Sequence, residues 1–344
     1  MKITFFALTA SVGAALAVPA TADARTMRAV GSSTVYPFAK MAAERVARAN
    51  PRLGSPIIES TGTGGGFKLF CAGVGERFPD IANASRRMKG KEAAQCAANG
   101  VKDVTEIQIG LDGVALATAR QTGISGITQR DLYMAIAKTP FGKPNKARTW
   151  KDVNAKLPAL PIRVYGPPST SGTRDALAEL LMTPPCEANA AMAALKKNDE
   201  ARFKAVCTVV RTDGAFIEAG ENDNLIVQKL SANPGTLGIF GYSFLEENAS
   251  RVKGVAINGV APNYATISSF QYPGARPLYI YVKNAHVRAI PAIRAFVAEI
   301  TKESAIGPKG YMLAGGMVAA PSGVRARAQQ AARTLSPVKF ADLK

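Results

Sequence analysis

The stretch that decides the fold is residues 27–37, which read MRAVGSSTVYP. Its first four residues are typical of a short strand, and the apolar residues that follow the stretch recur at helical spacing until Asn50-Pro51 stops them. One glycine and three hydroxyls stand between this strand and this helix. The start of a helix leaves backbone N–H groups unpaired at the positive end of its dipole, which favours a bound anion.

Two further stretches repeat this pattern. Residues 57–59 predict a strand before Thr63-Gly64-Gly65-Gly66, and residues 162–165 predict one before Ser171-Gly172-Thr173-Arg174. Each loop alone also fits a plain helix cap or a tight turn. In open α/β sheets, however, ligands bind beyond the carboxyl ends of the strands, where all three loops are expected. The sequence therefore predicts an α/β fold with an anion cradle built from three loops.

The N-terminal residues predict an export signal. Lys2 precedes an apolar run over residues 3–18, and Ala22-Asp23-Ala24 is a small-x-small cleavage pattern, as is Ala20-Thr21-Ala22. Neither cut leaves the N-terminal cysteine of a lipoprotein, and charged residues interrupt every later apolar stretch. We expect residues 1–24 to be a cleaved signal peptide and the mature protein to be periplasmic.

The chain is basic, with 43 Lys and Arg against 25 Asp and Glu and a formal net charge of +18. Removing residues 1–24 takes away Lys2 and Asp23 and leaves this charge unchanged. The basic residues are scattered, without interleaved aromatics or a basic helix. We therefore expect a solubility charge and no nucleic-acid partner.

The four cysteines of an exported chain predict disulfides. Three pairings of Cys71, Cys96, Cys186 and Cys207 are possible, and two local bridges, Cys71–Cys96 and Cys186–Cys207, are the simplest. Each closes a loop of some two dozen residues, which stabilises the fold by about 3 kcal/mol in the chain-entropy estimate.

Metal and hydrolase chemistry find little support in the sequence. There is no CxxC, and the single histidine, His286, has no evident partner ligand. A Ser-His-Asp triad would need that same histidine. We expect His286 to be structural or at the surface, and no metal or cofactor.

Two apolar stretches, residues 113–119 and residues 277–282, are candidate crossovers between two lobes. The first lobe is then discontinuous, with residues 25–112 and 275–344, and the second lobe is residues 113–274. The last part contains a helix over residues 290–300 and a basic tail beyond Pro321. A further helix that contains Leu177 and Leu181 is expected to end at Pro184-Pro185.

Taken together, the motifs resemble the periplasmic phosphate-binding proteins that feed phosphate ABC transporters, which have the two-lobed class II periplasmic-binding-protein fold. The resemblance spans almost the whole mature chain. Four stretches look like the family's phosphate loops: residues 31–37, 62–68, 80–86 and 171–173. Patterns at residues 131–133 with Trp150, at 222–224 and at 234–238 are similar to the second lobe of the family.

The resemblance implies a set of ligand-binding residues in the cleft between the lobes. The set is Ser33, Thr34 and Val35, then Thr63, then Asn83, Ser85 and Arg86, and from the other lobe Ser171, Gly172, Thr173 and Arg174. Familiar members have an arginine before the Ser-Gly-Thr loop, where this chain has Pro167-Pro168. The guanidinium must then come from Arg174 or Arg86, and we favour Arg174.

The second departure from the family concerns selectivity. Family members often place an aspartate where it accepts the proton of HPO₄²⁻, and the best match in this chain is Asn83. An amide can accept that hydrogen bond or donate to a fully deprotonated oxyanion, so sulfate is less strongly excluded. Glu59 and Asp175 stand beside the loops and are alternative acceptors.

The function implied by the resemblance is extracytoplasmic binding of inorganic phosphate and its delivery to an inner-membrane ABC permease. Closure of the lobes about residues 110–114 and 270–276 would seal the anion in the cleft. The protein is then a monomer and not an enzyme. The alternatives are a receptor for another tetrahedral oxyanion such as sulfate, an exported phosphatase-like enzyme, and an adhesion or signalling protein that has kept the fold.

Overall fold

The computed structural model of the chain describes residue 1 and residues 25–121, 124–169, 171–220 and 223–343. The predicted export signal and both of its cleavage patterns lie outside the described residues, apart from Met1. Within those ranges, none of the helices has the length and apolar character that a membrane crossing needs.

The strands are short, apart from two longer ones of 16 and 9 residues. They are β1 (Arg28–Gly31), β2 (Ile57–Ser60), β3 (Ile81–Ala84), β4 (Val104–Ala119), β5 (Gly126–Ile127), β6 (Val164–Gly166), β7 (Phe216–Glu218), β8 (Leu237–Gly241), β9 (Val252–Gly254), β10 (Ala256–Ile257) and β11 (Ala275–Lys283).

The helices mostly follow strands, as expected for an α/β fold. They are α1 (Tyr36–Ala49), α2 (Thr63–Phe70), α3 (Gly90–Ala98), α4 (Gln129–Ile136), α5 (Trp150–Val153), α6 (Gly172–Ala176), α7 (Thr183–Glu187), α8 (Ala190–Asn198), α9 (Glu200–Cys207), α10 (Asp223–Ala232), α11 (Tyr242–Glu247), α12 (Tyr264–Ser268), α13 (Ala292–Thr301), α14 (Glu303–Ile306) and α15 (Ser322–Thr334). The predicted α/β class is confirmed.

The larger sheet has two halves that share strand β4. In the first half, β1 pairs in parallel with β2 and β3, and β11 pairs antiparallel with β3 and with the first part of β4. In the second half, the last part of β4 pairs with β8 and β9, and β6 pairs in parallel with β8 and β7. The change of partner falls between Gly113 and Val114.

Each half has its own apolar core. One cluster contains Trp150 and Phe240 of the second half, and another contains Phe38 of α1 and Phe296 of α13 in the first half. A core of its own is what lets a lobe move as a unit. The lobe bounds at residues 112/113 and 274/275 stay a prediction, and the partner change on β4 lies at the first of them.

The local patterns set most helix ends. Helix α1 begins at Tyr36 with Pro37 in its first turn and ends at Ala49, with Asn50-Pro51 directly after it, as predicted. Strand β4 begins at Val104, earlier than the predicted 113–119. Its first part alternates apolar with partly exposed polar residues, among them Glu106, so apolar content alone missed it.

The predicted helix end at Pro184-Pro185 is wrong. After α6 the chain continues as a π-helix, Leu177–Met182, and then as α7, which has proline in its first turn. A proline is tolerated there because the N–H groups of a helix's first turn have no intrahelical partner to lose.

Both predicted disulfides are present. Cys71 of the segment after α2 bonds to Cys96 of α3, and Cys186 of α7 bonds to Cys207 of α9. The first ties together two elements beside the second loop, and the second ties the helices that follow Ser171-Gly172-Thr173.

Candidate functional site

A cleft of about 1120 Å³ opens between the two halves of the molecule. The first half lines it with Ser32, Ser33, Gly62, Thr63, Gly64, Gly65, Ser85 and Arg86, and the second half lines it with Asp175, Ala178 and Glu179. Arg276 of β11 also lines it. Three of the four predicted loops therefore meet here.

The first loop is fixed to the neighbouring strand β3. The Ser32 N–H donates to the Asn83 carbonyl at 2.9 Å, and the Tyr36 N–H closes the loop by donating to the Ser32 carbonyl at 3.0 Å. Gly31 has φ +137°, and a Cβ there would lie 2.1 Å from the Asn83 carbonyl oxygen. Only glycine fits this approach, which sets where Ser33 enters the cleft.

The second loop presents the start of α2. Gly66 packs on β1 so closely that a Cβ would lie 2.5 Å from the Gly31 Cα, whereas a Cβ on Gly64 would meet nothing within 4 Å. The glycine run thus combines one position needed for packing with residues that face the cleft. The first-turn N–H groups of a helix lack intrahelical acceptors, so this end of α2 suits an anion.

The third loop carries two side chains that are already paired. The Ser85 hydroxyl lies 2.9 Å from the Thr63 hydroxyl, and the Ser85 N–H donates to the same oxygen at 3.1 Å. Arg86 donates twice to Glu92, at 2.9 and 2.8 Å. Burial alone would raise the pKa of Glu92, but the Arg86 bonds and the Lys89 N–H outweigh it and hold that pKa below its ordinary value.

The fourth loop touches the first loop directly. The Ser171 hydroxyl caps α6 by accepting from the Thr173 N–H at 3.2 Å. The Thr34 hydroxyl donates to the Gly172 carbonyl at 3.1 Å, and a Cβ on Gly172 would lie 2.6 Å from the Thr34 Cα and N atoms. Glycine at 172 therefore permits the two halves to meet across the cleft.

Arg276 also presents a cation at the first loop, and the sequence indicated it only as the end of a hinge segment. Its side chain is 3% exposed. The guanidinium donates to Asp112 at 3.0 Å, to Glu179 at 2.8 Å and to the Thr34 hydroxyl. The signal available in the sequence was an arginine at the start of an apolar strand, next to Pro277.

Arg174 turns away from the cleft. It donates to the Pro167 carbonyl at 2.8 Å, pairs with Glu218 at 3.4 Å and lies over the Phe216 ring. It is not among the residues that line the cleft. The expectation considered Arg174 and Arg86, whereas the guanidinium that contacts the first loop is that of Arg276.

Several other predicted residues also stand back from the cleft lining. They are Thr34, Val35, Asn83, Ser171, Gly172 and Thr173. Val35 is fully buried and its N–H donates to the Ser32 hydroxyl at 3.4 Å. The Asn83 side chain is buried too, and within the described ranges neither of its amide atoms has a hydrogen-bond partner.

Two carboxylates occupy donors at the cleft. The Ser33 hydroxyl donates to Asp175, and Arg276 donates to Glu179. Glu59, the other acceptor considered, lies outside the cleft lining and pairs with Arg28 at 3.5 Å. Asp175 is therefore the predicted acceptor that faces the cleft.

The histidine belongs to a buried polar cluster outside this lining. The His286 ring lies 2.6 Å from the Asp80 carboxylate and accepts from the Gly75 N–H at 2.9 Å. Arg25 also donates to Asp80. In the described ranges no group of His, Cys, Asp and Glu has the arrangement of a metal site.

Two α/β lobes that share a sheet strand and enclose a hydroxyl-lined cleft define a class of protein, the two-lobed binding proteins. Residues 17–304 match the family model described as a PBP superfamily domain, so the chain belongs to the periplasmic-binding-protein superfamily.

The chain is similar to two named relatives and to a solved structure. Protein SphX of Synechococcus elongatus is 34% identical over 283 residues, which cover 78% of this chain and 73% of that protein. Phosphate-binding protein PstS of Staphylococcus saprophyticus is 29% identical over 279 residues, covering 79% and 75%. The crystal structure of a possible phosphate binding protein from Planctomyces limnophilus is 29% identical, with a TM-score of 0.72 over 90% of this chain and 97% of that one.

Proposed function

We propose that this protein is a periplasmic receptor for inorganic phosphate and delivers it to an inner-membrane ABC permease. The observation that carries the proposal is the buried Arg276 fork, which touches the first loop at Thr34 and lines the same cleft as the hydroxyls of Ser33, Thr63 and Ser85. The relatives named as phosphate-binding proteins support the same ligand.

Phosphate binding uses neutral donors and one cation. The hydroxyls of Ser33, Thr63 and Ser85 and the first-turn N–H groups of α2 donate to the phosphate oxygens, and Arg276 supplies the charge. Charge-assisted hydrogen bonds contribute about 1.5–3 kcal/mol each, so a handful suffices for micromolar binding, about −8 kcal/mol. Arg276 replaces Arg174 in this assignment, and Arg86 remains paired with Glu92.

Phosphate must displace the carboxylate that now lies on Arg276. Glu179 is exposed and reaches Arg276 through one oxygen, so it can turn to solvent at small cost. The Ser33 hydroxyl must also turn from Asp175 to the phosphate, and Asp175 then accepts a hydrogen bond from the proton that HPO₄²⁻ carries and sulfate lacks. This role, expected first of Asn83, belongs to Asp175 because the Asn83 amide stands back from the lining.

Transport requires the lobes to open and close. Strand β4 passes from the first half into the second through residues 110–114, and the chain returns through residues 270–276 into the start of β11. The contact between Thr34 and Gly172 forms when the lobes close. The closed monomer then docks on the permease and releases phosphate without any covalent bond being made or broken.

Calorimetry on the mature, phosphate-stripped protein tests the proposal. We expect micromolar or tighter binding of phosphate at neutral pH and no heat with sulfate. In Asp175→Asn, phosphate affinity falls and sulfate heat appears, because the amide also donates. Tight sulfate binding by the native protein, silence with both anions, or turnover of a chromogenic phosphate ester overturns the assignment.

A further inference from the structure

The cleft continues well beyond the phosphate cradle. Cavities of roughly 300–1000 Å³ hold drug-sized ligands, and this one has about 1120 Å³. Past Ser85 and Arg86 its walls are Lys89 and Lys91 at the start of α3 and, from the second half, Lys196 of α8 and Lys204 of α9. One tetrahedral anion fills only the inner end of this space.

The outer part of the cleft carries an excess of positive charge. Eight basic and four acidic side chains line the whole cavity. Lys196 pairs with Glu187 at 2.6 Å and Lys204 pairs with Glu200 at 3.2 Å. Within the described ranges, Lys68, Lys89 and Lys91 form no direct ion pair, although the carboxylates of Glu92 and Glu200 lie near enough to attract Lys89 and Lys91.

The lysines face one another across the cleft. Burial lowers the pKa of Lys89, and the nearby charges of Arg86, Lys91 and Lys196 lower it further, against the opposing effect of Glu92. Lys196 comes from the second half of the molecule and Lys89 from the first. Like charges held together from both walls are stabilised by a polyanion lying between them.

We infer that this cleft accepts condensed phosphates, with the terminal phosphoryl group in the cradle and the following groups against Lys89 and Lys91. The inference rests on the proposed function for the terminal group. A linear phosphoryl chain carries negative charge at each unit and matches a row of ammonium groups, whereas the neutral part of a simple ester does not. An inorganic chain and a nucleoside triphosphate share this chemistry.

Calorimetry in metal-free buffer compares phosphate, tripolyphosphate and ATP as ligands of the mature, phosphate-stripped protein. We expect tripolyphosphate to bind at least about ten-fold tighter than phosphate, since it adds at least one charge-assisted contact, and to lose more affinity as salt is raised. ATP binding as tightly as tripolyphosphate supports either source of the chain, and weak ATP binding assigns the inorganic one.

The double variant Lys89→Gln/Lys91→Gln supplies the residue test. It should lose about ten-fold or more in tripolyphosphate affinity while phosphate affinity changes less than about three-fold. The matched control Lys143→Gln/Lys151→Gln removes the same charge from exposed lysines outside the cleft lining and should leave both affinities near the native values.

The two proposals fail in different ways. Phosphate binding with tripolyphosphate no tighter, or equal losses in the double variant and its control, overturns the condensed-phosphate inference alone. Tight tripolyphosphate binding without measurable phosphate binding overturns the phosphate assignment and keeps the outer site. Silence with every ligand overturns both.

Discussion

Gly172 of α6 lies against Thr34 of the first loop, with the Thr34 hydroxyl donating to the Gly172 carbonyl at 3.1 Å. No Cβ fits between them, because it would stand 2.6 Å from two backbone atoms of Thr34. This contact joins residues from the two halves of the molecule, so the size of residue 172 limits how far the cleft can close.

We predict that Gly172→Ala weakens phosphate binding by about ten-fold or more, since the lobes can no longer meet, while the melting temperature changes little. Calorimetry and thermal unfolding measure the two effects. The control Gly126→Ala adds its methyl 3.5 Å from the nearest atoms of Ala256, an ordinary contact, and should bind like the native protein. Native affinity in Gly172→Ala would show that closure does not use this contact.

The glycine run of the second loop separates packing from binding. Gly66→Ala forces a methyl group to 2.5 Å from the Gly31 Cα and should cost about 1–3 kcal/mol of the free energy of unfolding. Gly64→Ala points into open space and should be no less stable than the native protein. Urea denaturation checks both, and equal stability of the two variants would refute this division of roles.

Asp80 anchors the base of the first lobe. Its fully buried carboxylate accepts from Arg25, from the Arg28 N–H at 2.7 Å, and from His286. Asp80→Asn removes the negative charge that these donors surround and leaves the buried Arg25 pair broken. It should lower the free energy of unfolding by about 3–5 kcal/mol. The control Glu59→Gln removes a half-buried and long 3.5 Å pair and should cost under about 1 kcal/mol.

Lys283 makes the free energy of unfolding change with pH in the alkaline range. Burial lowers its pKa to about 8 from the ordinary 10.5. Between these two pH values the unfolded chain holds a proton that the folded protein has lost, so the free energy of unfolding rises with pH. Below about pH 8 the folded protein bears the full cost of burying the charged ammonium group.

Denaturation between pH 7.5 and 9.5 should show this rise, and Lys283→Met should flatten it. The window stops there because burial raises the pKa of Tyr281 and Tyr272, which lowers stability above about pH 10 as the unfolded tyrosines ionise. An unchanged slope in Lys283→Met would place the effect elsewhere.

The parts of the fold that depend on neighbouring residues could be predicted from the sequence. The strand, glycine loop and helix around Gly31 and Thr63 follow from local periodicity, and Cys71 and Cys96 are close along the chain. The continuation of the helix through Pro184 could not be predicted. Proline stops the interior of a helix, but it is accepted here after the π-helical turn.

Arg276 shows the limit for the site. It lies 242 residues from Thr34 along the chain, and only the pairing of β11 with β4 and β3 brings it to the first loop. Arg174 stands beside the Ser-Gly-Thr loop in sequence and yet turns to Pro167 and Glu218. Sequence proximity favours Arg174, whereas strand order brings Arg276 to the first loop.

Phosphate titration of Arg276→Gln beside Arg174→Gln tests the central claim most directly. The account predicts that Arg276→Gln loses about 100-fold or more in affinity, that Arg276→Lys recovers part of it, and that Arg174→Gln stays within about three-fold of the native protein. Thermal unfolding checks that each variant is folded. Native affinity in a folded Arg276→Gln, or an equal loss in Arg174→Gln, would contradict the account.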